Sequence, residues 1–395
     1  MKILFLSRWF PYPINNGSKL RIFNLLKGLA HNHSVTLLSF VEPSAAPPDP
    51  SIMQELCTEY YTVPWREFDP KSRKARLGFL SSKPRFIADT YSTPMEAEIC
   101  RLMSKNKFDL VIASQLTMAS YSAAYGGVKA VFEEIELGGF YEKAHSTGDW
   151  SKRIRHWLTW LKLKSYLSQV LKNFAVCSVV SEKERKIFID AFPHHQKKAV
   201  VIPNCIDLTE YRISDIARKP NHIVFSGSFR YQANYDAVLW FLREVYPLIL
   251  KHVSDIQLLI TGDHADLPLP MTQNVRRVGH VEDIKTLIAS CDASIVPIWS
   301  GGGTRLKILE AMAVGTPVIS TSKGAEGLLA IPGEHILIAD EPERFAALLR
   351  QLLLDKEFSN RLSANAYRLV EEQYDWTKVM PRFLRTIDEA VAGFS

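Results

Sequence analysis

The chain has 395 residues, 47% of them hydrophobic and 23% charged, with a formal net charge of +6. That length predicts about two domains, and the ordinary composition excludes a disordered or collagen-like chain. No run approaches ~18 uncharged apolar residues, so no membrane-spanning helix is expected.

The start, MKILFLSRWFPYP, has too short an apolar core for a signal peptide, and Arg8 interrupts it. No small-residue cleavage site follows, so it reads as a first buried strand of a cytoplasmic protein. The five cysteines (Cys57, Cys100, Cys177, Cys205, Cys291) are scattered and form no CxxC pair. Neither a disulfide framework nor a zinc cluster is expected of them; they read as small buried hydrophobes. Residues 1–200 hold about 28 basic against 18 acidic side chains, and residues 201–395 about 20 against 24. The basic first half calls for an anionic partner.

Strands and helices alternate in chain order. Lys2–Ser7 is a short apolar run, followed by a loop with two prolines and Asn15-Asn16-Gly17. From Ser18 to His31 the apolar residues Leu20, Phe23, Leu25, Leu26 and Leu29 fall near helical spacing. Val35–Phe40, Phe108–Ser114, Ala130–Phe132 and Ala175–Ser181 read as strands. The stretch around Val200–Asn204 crosses to the second half, and Arg212–Pro220 reads as an exposed linker. His222–Ser226, Ile256–Gly262, Ala293–Pro297, Pro317–Ser320 and Ile336–Ala339 are the later strands. Between and after them Asn234–His252, Glu282–Ser290, Lys307–Val314, Glu341–Asp355 and Phe358–Gln373 read as helices. Strands separated by helices imply parallel sheets with right-handed crossovers. The expected fold is α/β, with two doubly wound, Rossmann-like domains facing across a ligand cleft. The first spans residues 1–200, completed by a final helix at about 376–395, and the second spans 201–375.

The strongest chemical signal is the run from Gly301 to Ile319, GGGTRLKILEAMAVGTPVI. A strand enters a glycine turn that opens a helix. Glycines let backbone N–H groups approach a ligand, and a helix start favours an anion such as phosphate. Arg305 and Lys307 add cations at a helix start, where they are locally unfavourable without an anion to offset them.

This run, with Lys323-Gly324-Ala325-Glu326-Gly327-Leu328, resembles the donor-binding signature of family 4 glycosyltransferases of GT-B fold, in a subset whose loop reads GGTRLK. The resemblance covers nearly the whole chain. SRWFPYPINNGSKLRIFNLL resembles the family's first strand and glycine loop, and VVIPNCID its PNG-D segment. FSGSFRYQANYDAVLWFLREVYP resembles the opening of its second domain, and YDWTKV the helix that crosses back. The resemblance implies transfer of a sugar from a nucleotide donor, UDP- or GDP-linked, with retention at the anomeric carbon and no metal or other cofactor.

In that family two glutamates separated by seven residues hold the donor. Glu310 matches the second, which holds the ribose, while Gly302 stands where the first would fall. The backbone of Gly302, Gly303, Thr304 and Leu306, with Arg305 and Lys307, is then expected to hold sugar and diphosphate. Gly227-Ser228 and Arg230 form a second phosphate element. Asn234 is either a donor ligand there or only the N-cap of the next helix. His280 and Val281 would lie along the base through backbone groups, and an exposed loop histidine is the simpler reading of His280.

In the first half, the Gly17 N–H would meet donor phosphate or the attacked sugar. Glu133-Glu134-Ile135-Glu136 ends a strand, and Glu134 or Glu136 would position an acceptor hydroxyl or face the developing positive charge; a solvated acidic loop is the alternative. Lys152–Phe174 mixes tryptophans with basic residues, as a membrane-interface helix does, and the basic stretch Lys71–Arg76 adds to it. A core-packed helix with a charged outer face fits as well. The expected acceptor is a surface glycan or a lipid-linked one, at an anionic membrane face engaged through Lys152–Lys172. A soluble acceptor and a non-catalytic nucleotide-sugar-binding protein are the rivals, and no nucleic-acid reader motif is present.

Overall fold

The structure is a computed structural model that describes residues 1–42, 49–145, 150–213 and 216–393. The chain forms two compact units, Met1–Pro203 with Met380–Ser395, and Asn204–Val379.

The first unit is built on a seven-stranded parallel sheet. Its strands are β1 (Lys2–Ser7), β2 (Ser34–Val41), β3 (Glu59–Pro64), β4 (Leu110–Ser114), β5 (Ala130–Glu133), β6 (Val176–Val179) and β7 (Ala199–Val201). They lie in the order β3-β2-β1-β4-β5-β6-β7. Strands covered on both faces read as continuous apolar runs rather than alternating ones, and β1 and β4 are buried nearly throughout. One side of the core packs Leu4, Leu6, Val111, Phe132 and Cys177 of the sheet against Ile99, Leu163, Leu167 and Phe188 of the helices.

The second unit has a six-stranded sheet of β8 (Lys219–Ser226), β9 (Gln257–Thr261), β10 (Val275–Gly279), β11 (Cys291–Val296), β12 (Val318–Ser320) and β13 (Leu337–Ile338). Its order is β10-β9-β8-β11-β12-β13, again all parallel. The two doubly wound α/β units give the GT-B fold that the sequence predicts.

Three expectations need correction. The helix predicted over Asn234–His252 is broken into Gln232–Trp240, a π turn at Phe241–Val245, and Tyr246–Leu250. Pro247 explains the break: it removes an N–H and its ring clashes with the carbonyl one turn back. The linker expected over Arg212–Pro220 is shorter, because Lys219 and Pro220 open β8 and Arg218 is tied to the Gly315 carbonyl. Ser214 and Asp215 of that stretch lie outside the described residues. Of the five free cysteines, four are buried as expected but Cys100 is exposed.

Candidate donor and acceptor sites

In an open parallel sheet the ligand crevice lies where strand order reverses, beyond the carboxyl ends of the two strands there. In the second unit that point falls between β8 and β11, and both glycine segments begin there. Gly227 follows β8 with φ +149°. A Cβ at Gly227 would lie 2.6 Å from Lys307 Nζ and 2.7 Å from Asn234 Nδ2, so only glycine fits.

Those two side chains tie the segments together. Lys307 Nζ donates to Asn234 Oδ1 at 2.9 Å, and Asn234 Nδ2 donates to the Ser228 carbonyl at 2.8 Å. The ammonium also lies 4.3 Å above the Phe225 ring. Asn234 is therefore not the helix N-cap. Tyr231 occupies that position without a side-chain cap bond, and Asn234 sits inside the first turn. Burial lowers the Lys307 pKa to about 7, the Arg305 charge adds to this, and Glu310 opposes it. A desolvated ammonium bonded to a neutral amide favours an incoming anion.

Arg305 does something the sequence did not reveal. Its guanidinium folds back on its own loop, donating to the carbonyls of Gly301 at 2.9 Å, Ser300 at 3.1 Å, and Gly302. It holds the turn closed rather than adding a free charge. Gly301 has φ +99°, and a Cβ there would collide with the Tyr231 hydroxyl. Gly303 is also left-handed, and Thr304 is buried with its Oγ1 accepting from Asn204 Nδ2 at 2.7 Å. Leu306 opens the helix Leu306–Ala313, which has no side-chain cap. Uncapped first-turn N–H groups are anion donors. Ser226 Oγ, at the end of β8, is buried with no hydrogen-bond partner.

Glu310, one turn into that helix, is half-buried rather than solvated, and accepts from the Tyr211 hydroxyl at 3.2 Å. Burial raises its pKa, against the Tyr211 bond and the Lys307 charge. Arg230 is exposed and paired with Asp263. Ser228 Oγ donates to the Asp263 carbonyl at 3.2 Å. His280 is exposed and Val281 half-buried just past β10.

In the first unit strand order reverses between β1 and β4. Gly17 is exposed as the first residue of the helix Gly17–Ala30, which Asn16 caps by accepting from Lys19 N at 2.9 Å. The acidic segment after β5 is not a solvated loop. Glu133 is fully buried, accepting from Arg21 Nε at 2.6 Å and Ser114 Oγ at 2.7 Å. Glu134 is buried too, with φ +60°. Its Oε2 accepts from Gln115 Nε2 at 2.9 Å, and Gln115 Nε2 also reaches Ser18 Oγ at 3.3 Å. Burial and the Glu133 charge push the Glu134 pKa up to about 8. Glu136 is exposed.

Sequence reasoning missed Arg21, Gln115, Arg8 and Lys19. Arg8 is nine-tenths buried at the end of β1, its guanidinium 3.5 Å over the Trp65 ring and 4.1 Å over Trp9. Burial lowers its pKa to about 10, and the charges of Glu42 and Glu67 oppose this only in part. Lys19 is buried as well, and its pKa is lowered first by burial. The SRWF segment was the available signal, but an arginine following an apolar strand gives no hint of two indoles closing around it.

Residues 15–210 match the model described as Glycosyltransferase Family 4, and residues 220–355 match Glycosyl transferases group 1. Together the two matches span most of the chain and support glycosyltransferase activity on a GT-B fold. It is 22% identical over 96% of its length to an uncharacterized 44.6 kDa protein in the cps region of Klebsiella pneumoniae, covering 97% of that protein. It is 28% identical to phosphatidyl-myo-inositol mannosyltransferase of Mycobacterium tuberculosis over 49% of this chain and 55% of that one, so it spans about half the length of that relative. Among solved structures it resembles Anabaena HepE, crystallised with UDP and glucose, at a TM-score of 0.68 with 17% identity, covering 98% of this chain and all of that one. WaaG, a glycosyltransferase involved in lipopolysaccharide biosynthesis, matches at 0.64 and 14% identity over the full length of both.

Proposed function

We propose that the chain transfers a sugar from a nucleotide-diphosphate donor, UDP- or GDP-linked, to a hydroxyl of a surface glycan or lipid-linked acceptor, with retention at the anomeric carbon. The observation that carries this reading is the Gly227–Asn234–Lys307 cluster beside an uncapped helix start at the switch point of the second sheet. Lys307, Ser226 Oγ and the first-turn N–H groups receive the diphosphate, and Glu310, steadied by Tyr211, takes the ribose. In the transfer the acceptor oxygen bonds to the anomeric carbon as the carbon–phosphate oxygen bond breaks. The acceptor proton passes to the departing phosphate, and the cationic groups around that phosphate stabilise the charge it gains. No divalent ion is part of this scheme, and full activity after exhaustive chelation tests that point.

On the acceptor side, Glu134 and Gln115 position the attacking hydroxyl. Arg8 and Lys19, buried cations whose desolvation outweighs the nearby charges of Glu42 and Glu67, favour an acceptor that carries phosphate or carboxylate. The Klebsiella and Mycobacterium relatives support a glycan or glycolipid acceptor through the names they carry. Calorimetric titration of UDP and GDP tests the donor assignment, and NMR of the product's anomeric proton tests retention. Absence of binding by every nucleoside diphosphate would sink it.

A further inference from the structure

The helix Trp150–Val170 carries two apolar stripes. Trp160, Leu163, Leu167 and Val170 form one, and it is buried in the first unit's core. Trp150, Ile154, Trp157, Leu158 and Leu161 form the other, and all five are exposed. At 3.6 residues per turn the second stripe points roughly 140° away from the first. Core packing accounts for the first stripe and leaves the second unexplained.

A second exposed apolar element lies against it. Leu77, Phe79 and Leu80 project from the turn after the short helix Arg73–Leu77, and Leu80 is 90% exposed. Lys162 Nζ donates to the Gly78 carbonyl at 2.7 Å, which fastens this turn beside the helix, one turn from Leu158. Arg85 stacks 3.9 Å over Phe79 and donates to the Ala75 carbonyl at 2.8 Å, so the turn is held from both sides. Residues 71–85 and 150–172 hold twelve lysines and arginines and no aspartate or glutamate. Exposed apolar clusters of this size on a soluble surface mark an interaction site. A protein partner or a second copy would need a matching acidic rim, whereas tryptophan and leucine ringed by one sign of charge match the interface of an anionic bilayer.

We propose that Leu77–Leu80 and the outer stripe Trp150–Leu161 insert together into the headgroup region of an anionic membrane, with Arg73, Lys74, Arg76, Lys152, Arg153 and Arg155 meeting lipid phosphates. This narrows the surface expected from sequence, which took in all of Lys152–Lys172 together with Lys71–Arg76. The C-terminal half of that helix is core on its apolar side, and Lys172 bonds to Gln169. No described helix is long and apolar enough to cross a membrane, so attachment is peripheral. The surface stands on its own residues and does not depend on the donor reading.

The test is co-sedimentation of the full chain, without donor or acceptor, with vesicles of pure phosphatidylcholine or of equal parts phosphatidylcholine and phosphatidylglycerol. Binding at least tenfold tighter to the anionic vesicles is expected, with a blue shift of tryptophan emission and quenching by brominated acyl chains. Leu80→Asp and Trp157→Ser are both at exposed positions. Each should weaken vesicle binding several-fold while leaving the thermal midpoint and the affinity for UDP unchanged. Equal binding to both vesicle types, no binding, or emission unshifted on binding would overturn the proposal. So would a concentration-dependent dimer in light scattering that Leu80→Asp abolishes while vesicle binding persists.

Discussion

Gln115 and Glu134, each the first residue beyond a strand, both hold left-handed backbones and are joined by a 2.9 Å hydrogen bond. Such conformations cost about 1–3 kcal/mol each in non-glycine residues, and persist where surrounding structure enforces them, commonly at functional sites. Here the enforcing contacts are Ser178 Oγ, which accepts from Glu134 N at 2.9 Å, and Ser18, which accepts from Gln115. The strain fixes two side chains at the carboxyl edge of the sheet, beside the start of the Gly17–Ala30 helix.

Glu134 has a definite pH signature. Its pKa rises from 4.5 to about 8, so the folded chain keeps a proton that the unfolded chain releases across that window. Stability contributed by the neutral carboxyl is present below about 4.5 and is lost as pH climbs through about 8. Glu134→Gln mimics the protonated form. Thermal unfolding of the variant should fall less steeply between pH 5 and about 9. Parallel pH profiles for variant and parent would refute the assignment.

Lys307 behaves in the opposite sense. With its pKa lowered from 10.5 to about 7, the unfolded chain binds more protons between those values, and stability rises with pH there. A bound diphosphate restores the charge, so UDP binding at about pH 8 should take up a proton. Calorimetry in two buffers of different ionisation enthalpy reads this directly. Lys307→Ala should abolish the uptake and weaken UDP or GDP by about 1.5–3 kcal/mol, the scale of a charge-assisted hydrogen bond.

Gly227→Ala tests the close approach at the end of β8. The added carbon would push Lys307 and Asn234 apart and would sit in a backbone conformation that L-residues avoid. A stability loss of about 1–3 kcal/mol is expected, with UDP affinity reduced about tenfold or more, equivalent to ~1.4 kcal/mol. A variant that binds UDP like the parent would show that the cluster does not form the diphosphate site.

Arg8→Met keeps a long apolar stem between Trp9 and Trp65 and removes the charge. The acceptor KM should rise about tenfold if a buried cation holds an acceptor anion, on the scale of one charged hydrogen bond. Donor affinity should stay the same. Equal loss on both substrates, or loss of neither, contradicts the anionic-acceptor reading.

Most of the fold was legible because parallel strands covered on both faces leave continuous apolar runs, as β1 and β4 do. β3 was not, since its sequence EYYTVP is largely exposed at the sheet edge and carries no such run. In the second unit the glycine turns and the helix start after Arg305 were readable from residue type and order. Arg305 was misjudged because sequence shows a charge but not which carbonyls lie within its reach. Asn234 stayed open between ligand and cap because a cap residue and a buried tether look alike until the helix start is fixed at Tyr231, which removes the cap reading. The acceptor side was least legible. Arg21 and Glu133 are 112 positions apart, and their contact at 2.6 Å exists only through the sheet order.

The chain enters the second unit and leaves it at the same place. Ile206 N donates to the Tyr374 carbonyl at 3.0 Å, Trp376 N to the Ile206 carbonyl at 2.7 Å, and Leu208 N to Asp375 Oδ1 at 3.1 Å. These bonds lace residues 206–208 to 374–376 as a short parallel pair. Residues 206–208 and 374–376 thus act as one joint through which the chain passes twice, so a substitution at Leu208, Asp375 or Trp376 disturbs both passages at once.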